Sequence, residues 1–579
     1  MINSQHVSVD HSSNIKQSMS MYLKALITLL LLSLTKTVST QNIFIDESFE
    51  DWNNIAFIID DKGDNSIIDL FSLQVFDNSR YLFVKFEIDR EVNLQNDNLI
   101  QLLIDFDSDP STGNSINGMG VDFSYNFGSR SGLIGNNVPI YHNDIRLLSC
   151  PTVTSPVFEL SIDLDLIRNY TSISDSIYLV LRDRSNGGDV IPSNNSFATY
   201  QMISSPVITQ SDCSLAKAPP TDFRIVSYNV QRDNIFESSA AESYKNILNA
   251  VDADIYCFQE VYNRSALNLQ EHLENLGILD MSFTWYAAKD GPDLITVSKY
   301  PIIDHQEVDG NSVVKISLPE SDLIVFNCHL PCCDNDNGRN SEIDAILGFL
   351  GASRRRENNF QIEEKSPLII LGDMNFVGQS SQLRRLMNGD IVSNFIYGPD
   401  IDMDYGNGPL EDLKPYTCNT HGVYTWLNDS SSFPAGRLDY MMFTGSVLES
   451  INSYVLDTRV LTTQVLNTNT LEAKDSETAS DHLPMIADFR LTSMSTGSLH
   501  ELPKKIKIYP NPGSETIYLE TDEILTEINL YDANGNLIRS GLPFDTTTGA
   551  LQLGKLPKAV YNLSFRIDGR QSSRLLYLH

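Results

Sequence analysis

Six short polar signatures punctuate apolar runs between Phe223 and Phe489, always in one order: Tyr228-Asn229, Gln259-Glu260, His329-Leu330, Gly372-Asp373-Met374-Asn375, Arg437-Leu438-Asp439-Tyr440 and Ser480-Asp481-His482. They supply carboxylates, two imidazoles and side-chain amides, the groups needed to cleave a phosphate ester with a divalent cation. Few carboxylates suffice for Mg²⁺, which keeps waters and takes phosphate oxygens. Neutral amides donate hydrogen bonds without repelling phosphate. A histidine held by a carboxylate keeps one tautomer and carries positive charge where phosphate arrives. Singly, Glu260 reads as a helix cap and His329 as a core histidine; the ordered set of six carries the chemistry.

Each signature closes or opens a strand-like run. Phe223–Asn229 and Asp254–Phe258 are β-rich, and Leu368–Leu371 is wholly apolar, as a strand buried on both faces is. Leu323–Phe326 leads into Asn327 and His329, which share a face while Cys328 points away. That alternation argues against zinc at Cys328-His329-x-x-Cys332-Cys333. Amphipathic stretches at Ala241–Val251 and Ser341–Phe349 alternate with these runs, the signature of an α/β domain.

The flanking regions differ in texture. Residues 42–209 show short alternating runs, at Leu82–Ile88, Leu99–Phe106, Val157–Leu164 and Ser176–Leu181, which predict a β-sandwich. Asp105, Asp107 and Asp109 alternate there, but Pro110 stands where an EF-hand loop needs glycine, so the segment reads as a solvated acidic turn. Pro219-Pro220 mark a linker at 210–221, and a Ser/Thr-rich joint spans 492–503. Residues 504–579 return to β, with Asn534-Gly535 and Asp568-Gly569 as hairpin signals. The predicted architecture is multidomain: a central α/β domain at 222–491 between an N-terminal all-β sandwich and a small C-terminal β-sandwich.

At 579 residues the chain exceeds one core, and its net charge of -34 argues against bulk attraction to nucleic acid or anionic lipid. A bound cation inverts that field locally, so an anionic substrate is compatible. Lys24 precedes an apolar stretch, Ala25–Leu34, with Val38-Ser39-Thr40 before Gln41; residues 1–41 read as a signal peptide, with initiation at Met1, Met19 or Met21. No transmembrane span is expected in the mature chain. Seven cysteines leave at least one unpaired; Cys257 reads as core, and Cys150, Cys213, Cys332, Cys333 and Cys418 as bridging candidates.

Over Asp222–Leu491 the ordered set resembles the endonuclease/exonuclease/phosphatase superfamily, whose members include deoxyribonuclease I, repair nucleases, sphingomyelinases and inositol polyphosphate phosphatases. The resemblance implies a four-layer αββα sandwich and a Mg²⁺-dependent phosphodiesterase, with Mn²⁺ or Ca²⁺ as alternative ions. It implies Glu260 as principal metal ligand with Asn229 and Asp481 beside it. Asp373 and Asn375 would position and activate water, His482 would contact the scissile phosphate under the orientation of Asp439, and His329 would donate to the developing charge. The acidic partner of His329 is either Asp290 or Asp293. Gln231 replaces an aspartate that some repair nucleases carry, and the arginine that inositol phosphatases carry after Asp-x-Asn is Phe376-Val377 here, which disfavours a 5-phosphatase. Arg339 and Glu342 form either an ion pair near the site or a helix-start pair, and Arg354-Arg355-Arg356 a solvated helix end.

The Tyr509-Pro510-Asn511-Pro512 start and the Leu530-Tyr531-Asp532-Ala533-Asn534-Gly535 centre resemble the type IX secretion C-terminal sorting domain, which implies export and a secreted or surface-attached protein. The opening Ile45–Trp52, with Asp105–Gly113 later, resembles carbohydrate-binding and DOMON-like modules, implying glycan contact. The expected activity is an extracellular nuclease. A sphingomyelinase-type lipid phosphodiesterase, with Phe433-Pro434 toward the membrane, and a catalytically silent glycan-binding protein are the alternatives.

Overall fold

The computed structural model describes residues 42–59, 63, 65, 67–193, 196–203, 213–492, 507–509, 515–520, 525–532, 537–545, 548–567 and 570–578. The leader, the joint after Thr492, the Asn534-Gly535 and Asp568-Gly569 pairs and Pro510–Pro512 lie outside them. The chain divides into two compact units, residues 1–492 and 493–579.

The central region is built on two six-stranded sheets. One runs in the order Tyr286–Asp290, Leu294–Ser298, Ile255–Gln259, Phe223–Asn229, Met485–Leu491, Leu448–Val455; the other runs Ile302–Val308, Asn311–Ser317, Asp322–His329, Leu368–Asp373, Asp439–Phe443, Glu411–Leu413. Alternation along the strands sorts their side chains. Ile225, Cys257, Val325, Leu371 and Met441, drawn from both sheets, share one buried cluster. Val226 and Tyr256 on the opposite face pack with Ile247 and Leu269 of the helices Ala241–Val251 and Ala266–Asn275. Phe326, Cys328 and Ile370 pack with Ile346 and Leu386 of the helices Asp336–Arg354 and Ser381–Asn388. Cys328 therefore lies in a helix-facing core, away from the zinc arrangement its sequence neighbours suggest. The helix predicted at Ser341–Phe349 is longer, because Asn335 caps it by accepting from the Gly338 N–H at 3.0 Å.

Residues 57–201 form a five-stranded and a seven-stranded sheet whose facing residues, among them Leu73, Val84, Phe86, Leu102, Ile104 and Leu179, share one core. A short helix, Leu164–Ile167, interrupts the β pattern. The acidic segment is not solvated throughout: Asp105 is fully buried, Asp107 half-buried and Asp109 exposed. This region is not a free-standing module. Ile45 bridges to Gly422 and Leu148 to Ala435. Ile43, Ile45, Trp52 and Phe83 share a buried cluster with Val423. Arg437, fully buried, is paired by Asp412 and by Glu47 of the N-terminal region. Arg130 lies 4.0 Å over the Phe433 ring, which stays 42% exposed.

A disulfide joins Cys213 to Cys418, and Cys150, Cys257, Cys328, Cys332 and Cys333 are free. The last unit has two four-stranded sheets that share a core of Ile517, Leu519, Leu530, Leu563, Phe565 and Leu576.

Because Trp52 sits in the cluster shared with Val423, Trp52→Ala should cost about 3–5 kcal/mol and lower the melting midpoint of the catalytic region with it. Calorimetry resolving two transitions, with only the N-terminal one shifted, would contradict this coupling.

Candidate active site

All six signatures meet along one edge of the paired sheets, and the topology explains why. Phe223–Asn229 runs parallel to Ile255–Gln259, and Asp322–His329 parallel to Leu368–Asp373, so Asn229, Gln259, His329 and Asp373 are all C-terminal strand ends. Asp439–Phe443 runs antiparallel to Leu368–Asp373 and therefore starts at that edge, with Asp373 opposite Asp439. His482 precedes the strand Met485–Leu491, which is antiparallel to Phe223–Asn229.

The convergence point is Asp373 Oδ2. Asn229 Nδ2 donates to it at 3.1 Å, His482 Nε2 lies 3.6 Å away and His329 Nε2 3.7 Å away. Each imidazole is held from behind: His482 Nδ1 pairs with Asp439 Oδ2 at 2.9 Å, and His329 Nδ1 with Asp293 Oδ2 at 2.6 Å. Asp293 is therefore the acid behind His329, whereas Asp290 pairs with His305 at 2.9 Å. Asp439 is fixed in turn by Thr425, whose hydroxyl accepts from the Leu438 and Asp439 N–H groups at 3.0 and 2.9 Å. Thr425 carries no sequence signal of that role.

Asn229 also donates to Glu260 Oε1 at 3.0 Å, and Glu260 Oε2 accepts from the Arg232 N–H at 2.8 Å. That N–H comes from three consecutive left-handed residues, Gln231, Arg232 and Asp233, and Glu260 itself has φ 65°. Non-glycine residues in this region concentrate where surrounding structure over-determines them, often at functional sites. The Gln231 side chain is exposed and outside the hydrogen-bonded network around Glu260. Asn375, at φ 49°, donates through Nδ2 to Leu330 O at 2.9 Å, and its N–H donates to Asp373 Oδ1 at 3.1 Å. Gly372, at φ 130°, permits the close approach of the two parallel strands, since a Cβ there would strike the Cys328 carbonyl. Asp481 stands apart from Glu260 and Asn229 in the hydrogen-bond network: its Oδ2 accepts from Trp426 Nε1 at 3.2 Å.

Burial alone would lower both histidines, but the opposing carboxylates prevail. Asp439 and Asp373 raise His482 to about 10, and Asp293 with Asp373 raises His329 to about 9. Burial pushes the Asp373 carboxyl up, against the pull of both imidazoles. Asp373, Asp439 and His482 lie within 4.8 Å of one another and form a set able to hold an ion. Glu260 and Asp373, bridged by the Asn229 amide, form a second, all-oxygen donor pair suited to a hard cation. The second offers oxygen donors alone, as a hard cation prefers, whereas the first includes the imidazole of His482, whose Nδ1 is already bonded to Asp439. Asp439 Oδ1 is buried without a hydrogen-bond partner, so Asp439 retains acceptor capacity beyond its His482 bond.

Several residues singled out in the sequence lie outside this network. Arg339 and Glu342 are not paired: Arg339 donates to the Pro331 and Cys333 carbonyls, while Glu342 accepts from Asn311. Arg354 donates to the Met403 carbonyl, and Arg355 and Arg356 pair with Glu357 and Glu363. A cavity of about 620 Å³, lined by Arg80, Arg146, His421 and Arg459 among others, lies between the N-terminal region and residues 419–460 and includes none of the six signatures' catalytic side chains.

Both raised histidines make stability pH-dependent. With pKa values above the unfolded 6.5, they contribute fully below about pH 6.5 and lose that contribution as pH rises through about 9–10. In EDTA, the urea midpoint should therefore fall across that window, and His482→Gln should flatten the fall. A wild-type midpoint unchanged across it would contradict these shifts.

Residues 226–482 match the endonuclease/exonuclease/phosphatase family, and residues 507–577 match the secretion system C-terminal sorting domain. No curated protein matches the sequence. Among solved structures, the chain is similar to D. rerio TDP2 complexed with single strand DNA product, at 13% identity over 46% of this chain and 98% of that one, with a TM-score of 0.31. It is similar also to ANGEL2, described as a 2',3'-cyclic phosphatase, at 18% identity over 46% and 94% with a TM-score of 0.31. A third is a family protein from Leptotrichia buccalis, at 14% identity over 46% and 99% with a TM-score of 0.30. Among the described residues no helix is long and apolar enough to cross a membrane. The chain therefore carries a catalytic domain of the endonuclease/exonuclease/phosphatase family, whose members hydrolyse phosphate esters, and a type IX C-terminal sorting domain that marks it for export to the surface or medium.

Proposed function

We propose that this protein is an exported, Mg²⁺-dependent phosphodiesterase whose substrate is extracellular nucleic acid. The observation that carries the proposal is the pair of carboxylate-held imidazoles, His329 and His482, facing one oxygen of Asp373 at 3.7 and 3.6 Å. A phosphate bound beside that oxygen would meet N–H donors from both rings and from the Asn229 amide. Glu260, Asn229 and Asp373 would hold the cation, with Asp481 at the margin through its neighbour His482; Mn²⁺ or Ca²⁺ are the alternative ions. When bound, the cation neutralises charge that grows on the phosphoryl oxygens.

The chain's own groups do the rest. Asp373 orients the attacking water and accepts its proton. Asn375 holds that water or a phosphoryl oxygen beside it. His482 and His329 donate to the phosphoryl oxygens, and Asp439 and Asp293 keep each ring in place. We read the sheets and flanking helices as the four-layer arrangement of this family, with the catalytic domain at 222–491, the sandwich at 42–209 and the sorting domain at 504–579.

A sphingomyelinase-type activity is the second reading, because Val392, Phe395 and Ile396 stand exposed around the short helix Asn394–Tyr397. A silent glycan-binding protein is disfavoured, since every signature position carries its chemically competent residue.

His482→Ala should lower turnover about 10²–10⁴-fold while circular dichroism stays unchanged; wild-type turnover would refute the assignment. Parallel assays on plasmid DNA and sphingomyelin should show DNA cleavage that EDTA abolishes and Mg²⁺ restores. Cleavage of sphingomyelin alone would favour the lipid reading, and cleavage of neither would undercut both.

A further inference from the structure

The strand Ile100–Asp105 ends in a second acidic cluster, remote in sequence from the catalytic signatures. One carboxylate oxygen each from Asp105, Asp107 and Asp122 lies within 4.8 Å of the others. Asp122 comes from the next strand pair: its N–H donates to the Ile104 carbonyl at 3.0 Å. Asp105 and Asp122 are 0% and 5% exposed. Among the described residues, none of the three lies within 4.0 Å of a lysine, arginine or histidine nitrogen in an ion pair. Buried carboxylates without a compensating charge are costly.

The hydrogen bonds sharpen the case. Asp105 Oδ2 accepts from the Gly120 N–H at 2.9 Å, while Asp105 Oδ1 is buried with no partner at all. Asp122 Oδ2 accepts from the Phe106 and Asp107 N–H groups at 3.1 and 3.3 Å. Thr112 Oγ1 lies 3.0 Å from both Asp107 oxygens. Backbone and hydroxyl groups thus hold the carboxylates in place, although no cation offsets them. A side chain at Gly120 would strike the Asp109 and Thr112 carbonyls, so the loop closes tightly over this strand.

We propose that Asp105, Asp107 and Asp122 form a Ca²⁺ site in the N-terminal region, separate from the catalytic cation. The donors are all oxygen and include no nitrogen or sulfur, which selects a hard cation. Ca²⁺ accepts irregular geometry and completes its shell with water. Export brings the chain to a compartment where sites of modest affinity fill, as those of extracellular modules do at about 10⁻⁴–10⁻³ M. The ion ties the 105–112 loop to the strand that begins at Phe123.

The test is equilibrium dialysis of the EDTA-stripped full chain against ⁴⁵Ca²⁺ at millimolar concentration, comparing wild type with Asp105→Asn, Asp107→Asn and Asp109→Asn. Asp105→Asn and Asp107→Asn should each lose one bound Ca²⁺ per chain, and Asp109→Asn, altered at the exposed neighbour, should lose none. If buried Asp105→Asn fails to fold, the half-buried Asp107→Asn carries the comparison. Equal occupancy in wild type and Asp107→Asn overturns the proposal, as does an equal loss in Asp109→Asn, which would mark diffuse counter-ion attraction instead.

Discussion

Everything at the catalytic edge depends on holding several like-charged acids close together in a buried place. Asp373, Asp439, Asp293 and Glu260 would repel one another at such close quarters without compensating donors. The two imidazoles and the Asn229 amide provide that compensation. Each histidine is sandwiched between a supporting acid and Asp373, and Asn229 spans from Glu260 to Asp373. The result is an array in which acids orient bases and bases hold acids, leaving a polar face for a cation and a phosphate.

The sheets make that array rigid. Gln259 Nε2 donates to Asn327 Oδ1 at 2.7 Å, joining a strand end of one sheet to the other just beneath the site. The N-terminal region adds a brace from outside. Thr152, buried, lies with its hydroxyl 3.0 Å from the Phe376 carbonyl and 3.2 Å from the Arg437 carbonyl, linking the loop after Asn375 to the approach to Asp439. Asn93 donates to the Val377 carbonyl at 2.9 Å. The catalytic loops are thus shared between two sequence regions that look independent.

Much of this was legible in the sequence because strand chemistry is local. Apolar runs ending in Asn229, His329 or Asp373 announce both a strand and its polar tip, and alternation alone separated His329 from Cys328. The Ala241–Val251 helix follows from its own periodicity. What was not legible depends on pairings between distant positions. Asp290 and Asp293 look equivalent in sequence; strand register gives one to His305 and the other to His329. Asp122 joins Asp105 only because the loop between them folds back. The seam between Trp52 and Val423, the Cys213–Cys418 bridge and the burial of Arg339 against carbonyls likewise need the tertiary fold. The sandwich read as a separate module for that reason.

The central claim is that the catalytic cation sits between Glu260 and Asp373, leaving both Asp–His couples intact. Anomalous diffraction from crystals soaked in Mn²⁺ tests it directly. A manganese peak flanked by the Glu260 and Asp373 carboxylates, with His482 still bonded to Asp439, is the predicted result. A peak ligated by His482 and Asp439 with that bond broken, or no peak near Glu260, would contradict it.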